Sequence, residues 1–130
     1  MSRALRLWGP VAAWMALIFA VSSRPLPVYV AVLPDWSTHA GAFAVLSVLA
    51  CRALGGGLGL PVSRRDVLLA VVLSTVYGVS DEFHQSFVPG RDATAWDVLK
   101  DAVGALIGVW LYRRVVVPRF GLHQREAFRG

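Results

Sequence analysis

The chain has 130 residues, of which 56% are apolar and 16% are charged, with a mean hydropathy of +0.58 and a formal net charge of +5. Ordinary soluble domains are about 45–50% apolar and about 25% charged. This composition excludes a disordered chain and favours a protein whose solvent is a lipid bilayer. The single cysteine, Cys51, excludes an intrachain disulfide and a multi-cysteine zinc site, and we expect it to be a small buried side chain.

Four apolar segments are predicted to cross the bilayer. They cover residues 7–23, about 36–60, 67–80 and 102–112. The first segment carries no charge and follows Arg3 and Arg6, and its length favours a membrane anchor over a cleaved secretory signal. Three glycines at 55–57 loosen the second segment and leave 39–51 as its core. Because the last three segments fall short of the roughly 20 apolar residues of an ideal span, buried helices of a soluble protein remain an alternative.

The distribution of charge between these segments supports four spans. With the N-terminus inside, ten of the 13 basic residues lie on the inner side, as the positive-inside rule requires. Only three basic residues then lie outside, namely Arg24, Arg91 and Lys100. We therefore expect an all-α fold: a small polytopic bundle of about four transmembrane helices in the cell (inner or cytoplasmic) membrane, with both termini cytoplasmic.

The four segments are expected to form one domain that spans residues 1–130, in which residues 115–130 are a basic C-terminal tail or, as the alternative, a helix on the membrane surface. The basic residues form short clusters at the segment ends and are not interleaved with aromatic residues, so nucleic acid is not an expected partner. Membrane lipids are the expected surroundings. The small packing area of four short helices also makes a homo-oligomer or a partner protein plausible.

The outer stretch 80–101 concentrates most of the ionisable residues between two apolar segments. A helix that continues from the third segment puts Asp81 on one face with His84 or Gln85, because residues three and four apart are neighbours on a helix. Glu82 points to an adjacent face. The sequence therefore predicts a polar cluster at the outer end of the third helix.

A turn should separate this helix from the fourth. Pro89 and Gly90 favour a break, which leaves Arg91 at the turn and makes Asp92 a plausible N-cap of the next helix. Small and acidic residues then recur along one stripe of that helix: Asp97, Asp101, Gly104 and Gly108. The two glycines would let a partner helix approach closely beneath the two carboxylates.

Structural roles are the alternative for each of these residues. The glycines can serve packing alone, and His39, just inside the second segment, can be a hydrogen-bonded packing group. Asp81, Glu82 and Arg91 can form an ion-pair cluster that closes the outer end. However, ionisable side chains are costly near the membrane interior, so a functional cluster is the preferred hypothesis.

One motif carries a family resemblance. The sequence SDEFHQSFVPGR at residues 80–91, followed by Asp97 and Gly104, resembles the signature of the VanZ-like family of small bacterial membrane proteins. Upstream, Asp35 and His39 resemble the first motif of that family, at the entry to the second helix. The resemblance extends over about residues 35–112. Within it, Trp36 stands where the family commonly has lysine, and Asp101 where it commonly has asparagine.

The resemblance implies a polytopic protein of the cell envelope, in a family whose namesake is associated with low-level resistance to the glycopeptide teicoplanin. The leading hypothesis is that the outward cluster binds or modifies an envelope component, such as a lipid-linked precursor, or an amphiphilic antibiotic. Arg91 would engage a phosphate or carboxylate, because its planar guanidinium suits such groups. The candidate catalytic residues are His39, Asp81, Glu82, His84 and Asp97, and the candidate substrate-binding residues are Gln85, Arg91 and Asp101.

Two further classes of function remain open. The first is a membrane hydrolase or transferase that acts on a lipid-linked phosphate, with carboxylates and a histidine as acid–base groups or as ligands of a divalent metal. The sequence has no H-E-x-x-H helix, G-x-S-x-G elbow or P-loop to support it. The second is proton-coupled transport or a structural role in a complex. The requirement for a metal or another cofactor is left unknown by the sequence.

Overall fold

The computed structural model describes residues 1–25 and 35–120 of the chain. Residues 26–34, most of the proline-containing stretch between the first two segments, and residues 121–130 of the predicted tail lie outside this described part. All regular secondary structure in it is helical, which confirms the all-α prediction. The helices are α1 (Arg3–Ser22), α2 (Asp35–Leu54), α3 (Arg64–Gln85) and α4 (Ala95–Leu111), followed by a π-helical segment (Tyr112–Val116). Residues 115–120, which also belong to the predicted tail, are helical and continue from α4.

α1, α3 and α4 are longer than the apolar runs that predicted them, whereas α2 ends at Leu54, before the predicted boundary near residue 60. α1, α2 and α3 have 20, 20 and 22 residues, and all three are long and apolar enough to cross a membrane. The shortfall in α2 and α3 arises because charged residues such as Arg64 and Glu82 occupy the terminal turns, where they interrupt the apolar run but not the helix. α4 has 17 residues and remains shorter than an ideal span.

The starts of α3 and α4 follow from capping side chains. Ser63 and Asp66 form a reciprocal capping box at α3, which satisfies backbone donors that the first helical turn leaves unpaired. At α4 the N-cap is Thr94, whose hydroxyl accepts from the backbone N–H of Asp97. The prediction that Asp92 caps this helix is therefore wrong. Asp92 lies two residues upstream of the cap and is exposed.

α2 and α4 form the most extensive helix pair in the bundle, and small residues explain why. Gly104 lies against the backbone of Ala40, and Gly108 lies against the backbone of Ala44. A side chain at either glycine would occupy the same space as α2 itself, so only glycine permits this approach. The predicted close-packing role of the two glycines is confirmed.

The burial pattern suits a bilayer better than water. Large apolar side chains point outward from α3 and α4, and several are more than half exposed: Leu68, Val76, Phe83, Trp96, Leu106 and Trp110. The interior, by contrast, holds polar and acidic side chains: Ser47, Ser74, Asp81, Glu82, Gln85, Asp97 and Asp101. Monomeric proteins in water rarely expose large apolar patches. The bundle is therefore built to sit in lipid.

α1 lies at the edge of the bundle and is held by hydrogen bonds to its backbone. Pro10 has no N–H, so the carbonyl of Arg6 lacks its usual partner within the helix. Arg52 of α2 donates to that carbonyl at 3.1 Å and to the carbonyl of Leu7 at 3.1 Å. Tyr77 of α3 likewise donates to the carbonyl of Met15 at 2.6 Å.

Candidate functional site

The buried polar residues gather at one end of the bundle, which we call the polar end. The helices run alternately up and down, so the C-terminal ends of α1 and α3 meet the N-terminal ends of α2 and α4 there. The turn between α3 and α4 lies beside it, with Gly90 in the left-handed region at a φ of +78°. The predicted outer cluster is thus a real spatial cluster, assembled from all four helices.

Three side chains from three helices meet at its centre, and we call them the triad: His39 of α2, Glu82 of α3 and Asp101 of α4. The Nδ1 atom of His39 lies 3.0 Å from Oδ1 of Asp101 and 3.8 Å from Oε1 of Glu82. One potential ligand atom from each residue falls within 4.8 Å of the other two. Asp101 is fully buried, and Glu82 is only 6% exposed.

Both carboxylates of the triad keep an oxygen that accepts no hydrogen bond. Within the described part of the chain, Oε2 of Glu82 and Oδ2 of Asp101 are buried and have no hydrogen-bond partner. Buried polar atoms are normally paired, because an unpaired one costs its full desolvation energy. Asp101 also fits against Gly78 of α3, where a methyl group would collide with the carboxylate. The helices therefore pack closely around these carboxylates but leave one oxygen of each without a hydrogen bond.

Asp81 and Gln85 form a second layer that connects the triad to α1. The amide nitrogen of Gln85 donates to Oδ2 of Asp81 at 2.9 Å and to Oε1 of Glu82 at 3.1 Å. The hydroxyl of Ser22 in α1 donates to the other oxygen of Asp81 at 2.6 Å. Gln85 thus fulfils the prediction that it shares a face with Asp81, and it bridges two acidic side chains.

His84 lies apart from the triad. Its Nε2 atom is 3.0 Å from the hydroxyl of Ser23, and its ring packs 4.4 Å from the ring of Phe19. Both contacts are with α1. Of the two histidines predicted for the site, the structure brings only His39 next to the carboxylates Glu82 and Asp101.

Arg91 contacts backbone oxygens where the ion-pair alternative would require carboxylates. Its Nε and Nη2 atoms each donate at 2.9 Å, to the carbonyls of Arg24 and Val21 respectively. The carbonyl of Val21 lies in the last turn of α1 and that of Arg24 just beyond it, where few backbone donors remain. The guanidinium therefore caps α1, and the alternative of an ion-pair cluster with Asp81 and Glu82 is wrong.

Asp97 is held by its own helix. Lys100 lies 2.6 Å from Oδ1 of Asp97, and the hydroxyl of Thr94 donates to Oδ2 at 2.6 Å. Its backbone N–H also donates to Thr94, so Asp97 completes the first turn of α4. The stripe of Asp97, Asp101, Gly104 and Gly108 is buried along one side of α4, as the spacing predicts.

Two cavities meet at the polar end. One is a groove between α1 and α2 with mainly apolar walls, which include Trp14, Leu17, Ile18 and Phe43. The other is a more polar pocket beneath the turn between α3 and α4, lined by Thr94, Asp97 and Lys100 among others. Three residues line both cavities: His39, Gln85 and Arg91.

The groove residues were missed by the sequence analysis. Trp14 and Phe43 belong to different apolar segments, and nothing in their spacing distinguishes a groove wall from a lipid-facing residue. Trp14 also donates to the carbonyl of Ala42 at 2.9 Å, which fixes the separation of α1 and α2. Only a tryptophan in mid-span, with a donor that needs an acceptor, offered a clue.

Chemically, the polar end offers two kinds of groups. The triad supplies one imidazole and two carboxylates, which can exchange protons or hold a cation. The polar pocket is lined by two cationic side chains, Arg91 and Lys100, and by two carboxylates, Asp92 and Asp97. Lys100 pairs with Asp97, whereas the guanidinium of Arg91 suits a phosphate or carboxylate group.

Comparison with known proteins identifies the family. The family described as VanZ/LLP1 matches residues 7–117, which include most of α1, all of α2, α3 and α4, and every candidate site residue. No curated protein and no solved structure matches the chain. The match covers most of the sequence, and the motif at residues 80–91 lies where the polar end is assembled. The chain therefore belongs to the VanZ/LLP1 family.

Proposed function

We propose that this protein is a multi-pass protein of the cytoplasmic membrane that binds, at its polar end, an amphiphilic component of the cell envelope with an anionic headgroup. One observation carries the proposal. His39, Gln85 and Arg91 line both the apolar groove and the polar pocket, so the two cavities are neighbours on either side of these three side chains. A ligand with an apolar tail and a charged head matches that succession of surfaces.

The tail would occupy the groove between α1 and α2. Its walls are formed by the side chains of Trp14, Ile18 and Phe43, among others, and have few polar atoms. Burial of apolar ligand surface contributes about 25 cal/mol per Å². A tail in the bilayer is already shielded from water. It therefore gains stabilisation in the groove only where the groove shields it from water better than the surrounding lipid does. The groove accordingly supports orientation of the ligand more than tight binding.

The headgroup would occupy the polar pocket. Arg91 uses Nε and Nη2 to cap α1, and a guanidinium has five N–H donors in all. Donors of Arg91 therefore remain for a phosphate or carboxylate in the pocket, which Lys100 also lines while it pairs with Asp97. Because its position is fixed by two carbonyls, Arg91 would meet the ligand with little loss of side-chain entropy.

The orientation follows from loop charge. Positive residues concentrate at the end opposite the polar end, where α2 and α3 are flanked by Arg52, Arg64 and Arg65. Under the positive-inside rule that end is cytoplasmic. The polar end then faces outward, toward the envelope, and both chain termini lie inside.

Retention of lipid on the purified protein tests the proposal. Native mass spectrometry would compare the wild type with Arg91→Ala and Arg52→Ala, after incubation with an anionic lipid (phosphatidic acid) or a zwitterionic one (phosphatidylcholine). The two arginines are matched, since each donates hydrogen bonds to two backbone carbonyls of the α1 region, Arg52 at the start of the helix and Arg91 at its end. We expect the wild type and Arg52→Ala to retain phosphatidic acid preferentially, and Arg91→Ala to lose that preference.

Equal retention by the two variants would show that Arg91 acts only as a helix cap. Failure of the wild type to prefer phosphatidic acid would remove the proposal for an anionic headgroup.

The link to glycopeptides is a consequence to be tested in cells. If the bound component alters the surface that teicoplanin reaches, cells that express the wild type should be less susceptible than cells that express Arg91→Ala. Arg52→Ala at the same membrane level is the matched control. Identical susceptibility of all three strains would separate this protein from teicoplanin resistance.

A second candidate function is hydrolysis or transfer of a lipid-linked phosphate. The observation that favours it is the contact of 3.0 Å between His39 and Asp101, since a carboxylate orients a histidine for acid–base work. Release of inorganic phosphate from a polyprenyl phosphate, measured with and without magnesium, manganese or zinc, tests it. Activity in the wild type that disappears in Asp101→Asn supports an enzyme, and inertness under all conditions argues against one.

A further inference from the structure

We infer that the triad of His39, Glu82 and Asp101 is a binding site for one divalent metal ion that prefers mixed nitrogen and oxygen ligands, of the Zn²⁺ or Mn²⁺ type. The inference goes beyond the binding of an amphiphile, because it concerns the protein alone. It rests on the geometry of three side chains and on the two oxygens that they leave without a partner.

The spacing of the ligand atoms has the right size. Two ligands about 2.1 Å from a zinc ion and separated by a tetrahedral angle lie about 3.4 Å from each other. The distances from His39 Nδ1 to the nearest oxygens of Asp101 and Glu82 are 3.0 and 3.8 Å, which bracket that value. A cation can therefore sit among the three side chains with small adjustments of their rotamers.

The unpartnered oxygens are the second and independent observation. Oε2 of Glu82 and Oδ2 of Asp101 are buried and accept no hydrogen bond within the described residues. Each side chain is more than nine-tenths buried, so water does not readily serve them. A buried carboxylate is stable only when it is paired, hydrogen-bonded or bound to a metal. The oxygens nearest His39 are Oδ1 of Asp101 and Oε1 of Glu82. A metal ion among the three side chains would supply the missing partner once each carboxylate turns to offer its second oxygen as well.

The charge balance points the same way. In the triad, two carboxylates face a single imidazole, which carries at most one positive charge. A divalent cation bound to a neutral histidine and two carboxylates gives a group with no net charge. Such a group is far less costly near the membrane interior than an uncompensated anion.

The donor set indicates the class of metal. Imidazole binds zinc, copper, iron and nickel well, whereas magnesium and calcium prefer oxygen ligands alone. One nitrogen with two carboxylates therefore favours Zn²⁺ or Mn²⁺ over Mg²⁺ and Ca²⁺. Three protein ligands leave at least one coordination position open, as in catalytic zinc sites. His39 also lines the polar pocket, so that position would be within reach of a headgroup oxygen.

Direct titration of metal into the purified protein tests the site. Chelator-treated protein in detergent would be titrated calorimetrically with Zn²⁺, Mn²⁺ and Mg²⁺, without added lipid. The triad variants are His39→Gln, Glu82→Gln and Asp101→Asn. The matched controls are His84→Gln and Asp92→Asn, which change a histidine and an aspartate near the same end but outside the triad.

We expect one Zn²⁺ or Mn²⁺ per chain in the wild type and in both controls, with much weaker Mg²⁺ binding. Each triad variant should weaken the affinity at least about tenfold, because even outer-shell partners of a metal contribute about 10–100-fold. No binding by the wild type, or equal weakening in the controls, would overturn the inference.

A spectroscopic measurement guards against misfolded variants. Mn²⁺ bound to wild-type protein should show magnetic coupling to a nitrogen nucleus in its electron paramagnetic resonance. His84→Gln should retain this coupling and His39→Gln should lose it, while circular dichroism confirms the helices in both. Mn²⁺ bound with oxygen ligands only in the wild type would overturn the inference, even if the ion binds tightly.

The two proposals can fail separately. Metal titration uses no lipid, and the comparison of Arg91→Ala with Arg52→Ala changes no member of the triad. Loss of metal binding without loss of lipid retention would leave the amphiphile proposal in place. The converse result would leave a metal site whose ligand is not an anionic lipid.

Discussion

The two ends of the bundle treat their buried polar groups differently. At the end opposite the polar end, the fully buried Tyr112 donates to the carbonyl of Gly57 at 2.9 Å, and Arg52 pairs with two carbonyls of α1. At the polar end, Glu82 and Asp101 each retain an unpartnered oxygen. Polar groups at the opposite end stabilise the fold, whereas those of the triad are kept at a cost in stability. This contrast is typical of a binding site, because natural proteins break packing rules mainly where function requires it.

The largest expected loss of stability comes from a substitution that disrupts the contact between α2 and α4, the helix pair that connects the two ends. Gly104→Ala places a methyl group into the backbone of Ala40, which cannot move without displacing α2. We expect a loss of about 3 kcal/mol or more in the free energy of unfolding, since backbone offers less relief than a side chain. Reversible unfolding in mixed micelles, followed by circular dichroism, measures it.

Gly41→Ala is the matched control, because the space beside Gly41 is open. Alanine also favours a helix over glycine by about 1 kcal/mol. The control should therefore be as stable as the wild type or more so. Equal stability of the two variants would show that α2 and α4 are not held together by the glycine contact.

A pair of apolar substitutions sharpens the contrast between the ends. Glu82→Leu removes a buried carboxylate that has one unpartnered oxygen. In metal-free protein we expect it to stabilise the fold by about 1 kcal/mol, because the desolvation cost of that oxygen is removed. Tyr112→Phe removes a satisfied hydroxyl and should destabilise by about 1 kcal/mol. Midpoints of thermal unfolding, measured in the presence of a chelator, give the sign of the stability change for each variant.

Opposite signs for the two variants would confirm that the polar end is arranged for binding. Destabilisation by Glu82→Leu in metal-free protein would instead mean that this carboxylate contributes to folding, and the contrast between the ends would disappear. Gln85 keeps Asp81 as a partner in this variant, so loss of Glu82 does not strand the amide.

The smallest expected effect concerns the proline at the opposite end. Pro10→Ala restores an N–H to α1, which can then bond the carbonyl of Arg6 within the helix. Arg52→Ala should therefore cost less in the Pro10→Ala background than in the wild type, by about 0.5–1 kcal/mol. A double-mutant cycle of unfolding free energies gives this difference directly. A coupling of zero would mean that Arg52 does not replace the hydrogen bond that Pro10 removes.

Much of the fold could be predicted from the sequence. Apolar runs and loop charge predicted four helices, and the stripe that contains Gly104 and Gly108 predicted close packing of α4 against a partner helix, which the structure identifies as α2. The helix ends were less predictable, because Glu82 and Arg64 read as loop charge but lie in terminal turns. The choice between Asp92 and Thr94 as N-cap depended on a backbone geometry that either residue type could satisfy.

The candidate site could be predicted as a cluster but not as an arrangement. Local spacing linked Gln85 to Asp81 correctly, since both lie on one helix. It could not tell that His39 faces Asp101, 62 residues away, or that His84 turns toward α1. Arg91 was expected to contact anionic groups, but it lies beside α1, where carbonyl oxygens accept hydrogen bonds from its guanidinium. Contacts between helices depend on their relative rotation, which periodicity leaves undetermined.

The way in which α1 is attached has a consequence for how sequences of this kind can diverge. Arg52, Tyr77 and Arg91 all reach main-chain carbonyls of the α1 region, and a carbonyl is the same in every amino acid. Most lipid-facing residues of α1 can therefore drift freely, provided that they stay apolar and helical. Hydrogen-bond donors on the other helices therefore determine where α1 packs. We expect relatives to vary in the sequence of the first helix and to keep these donor residues.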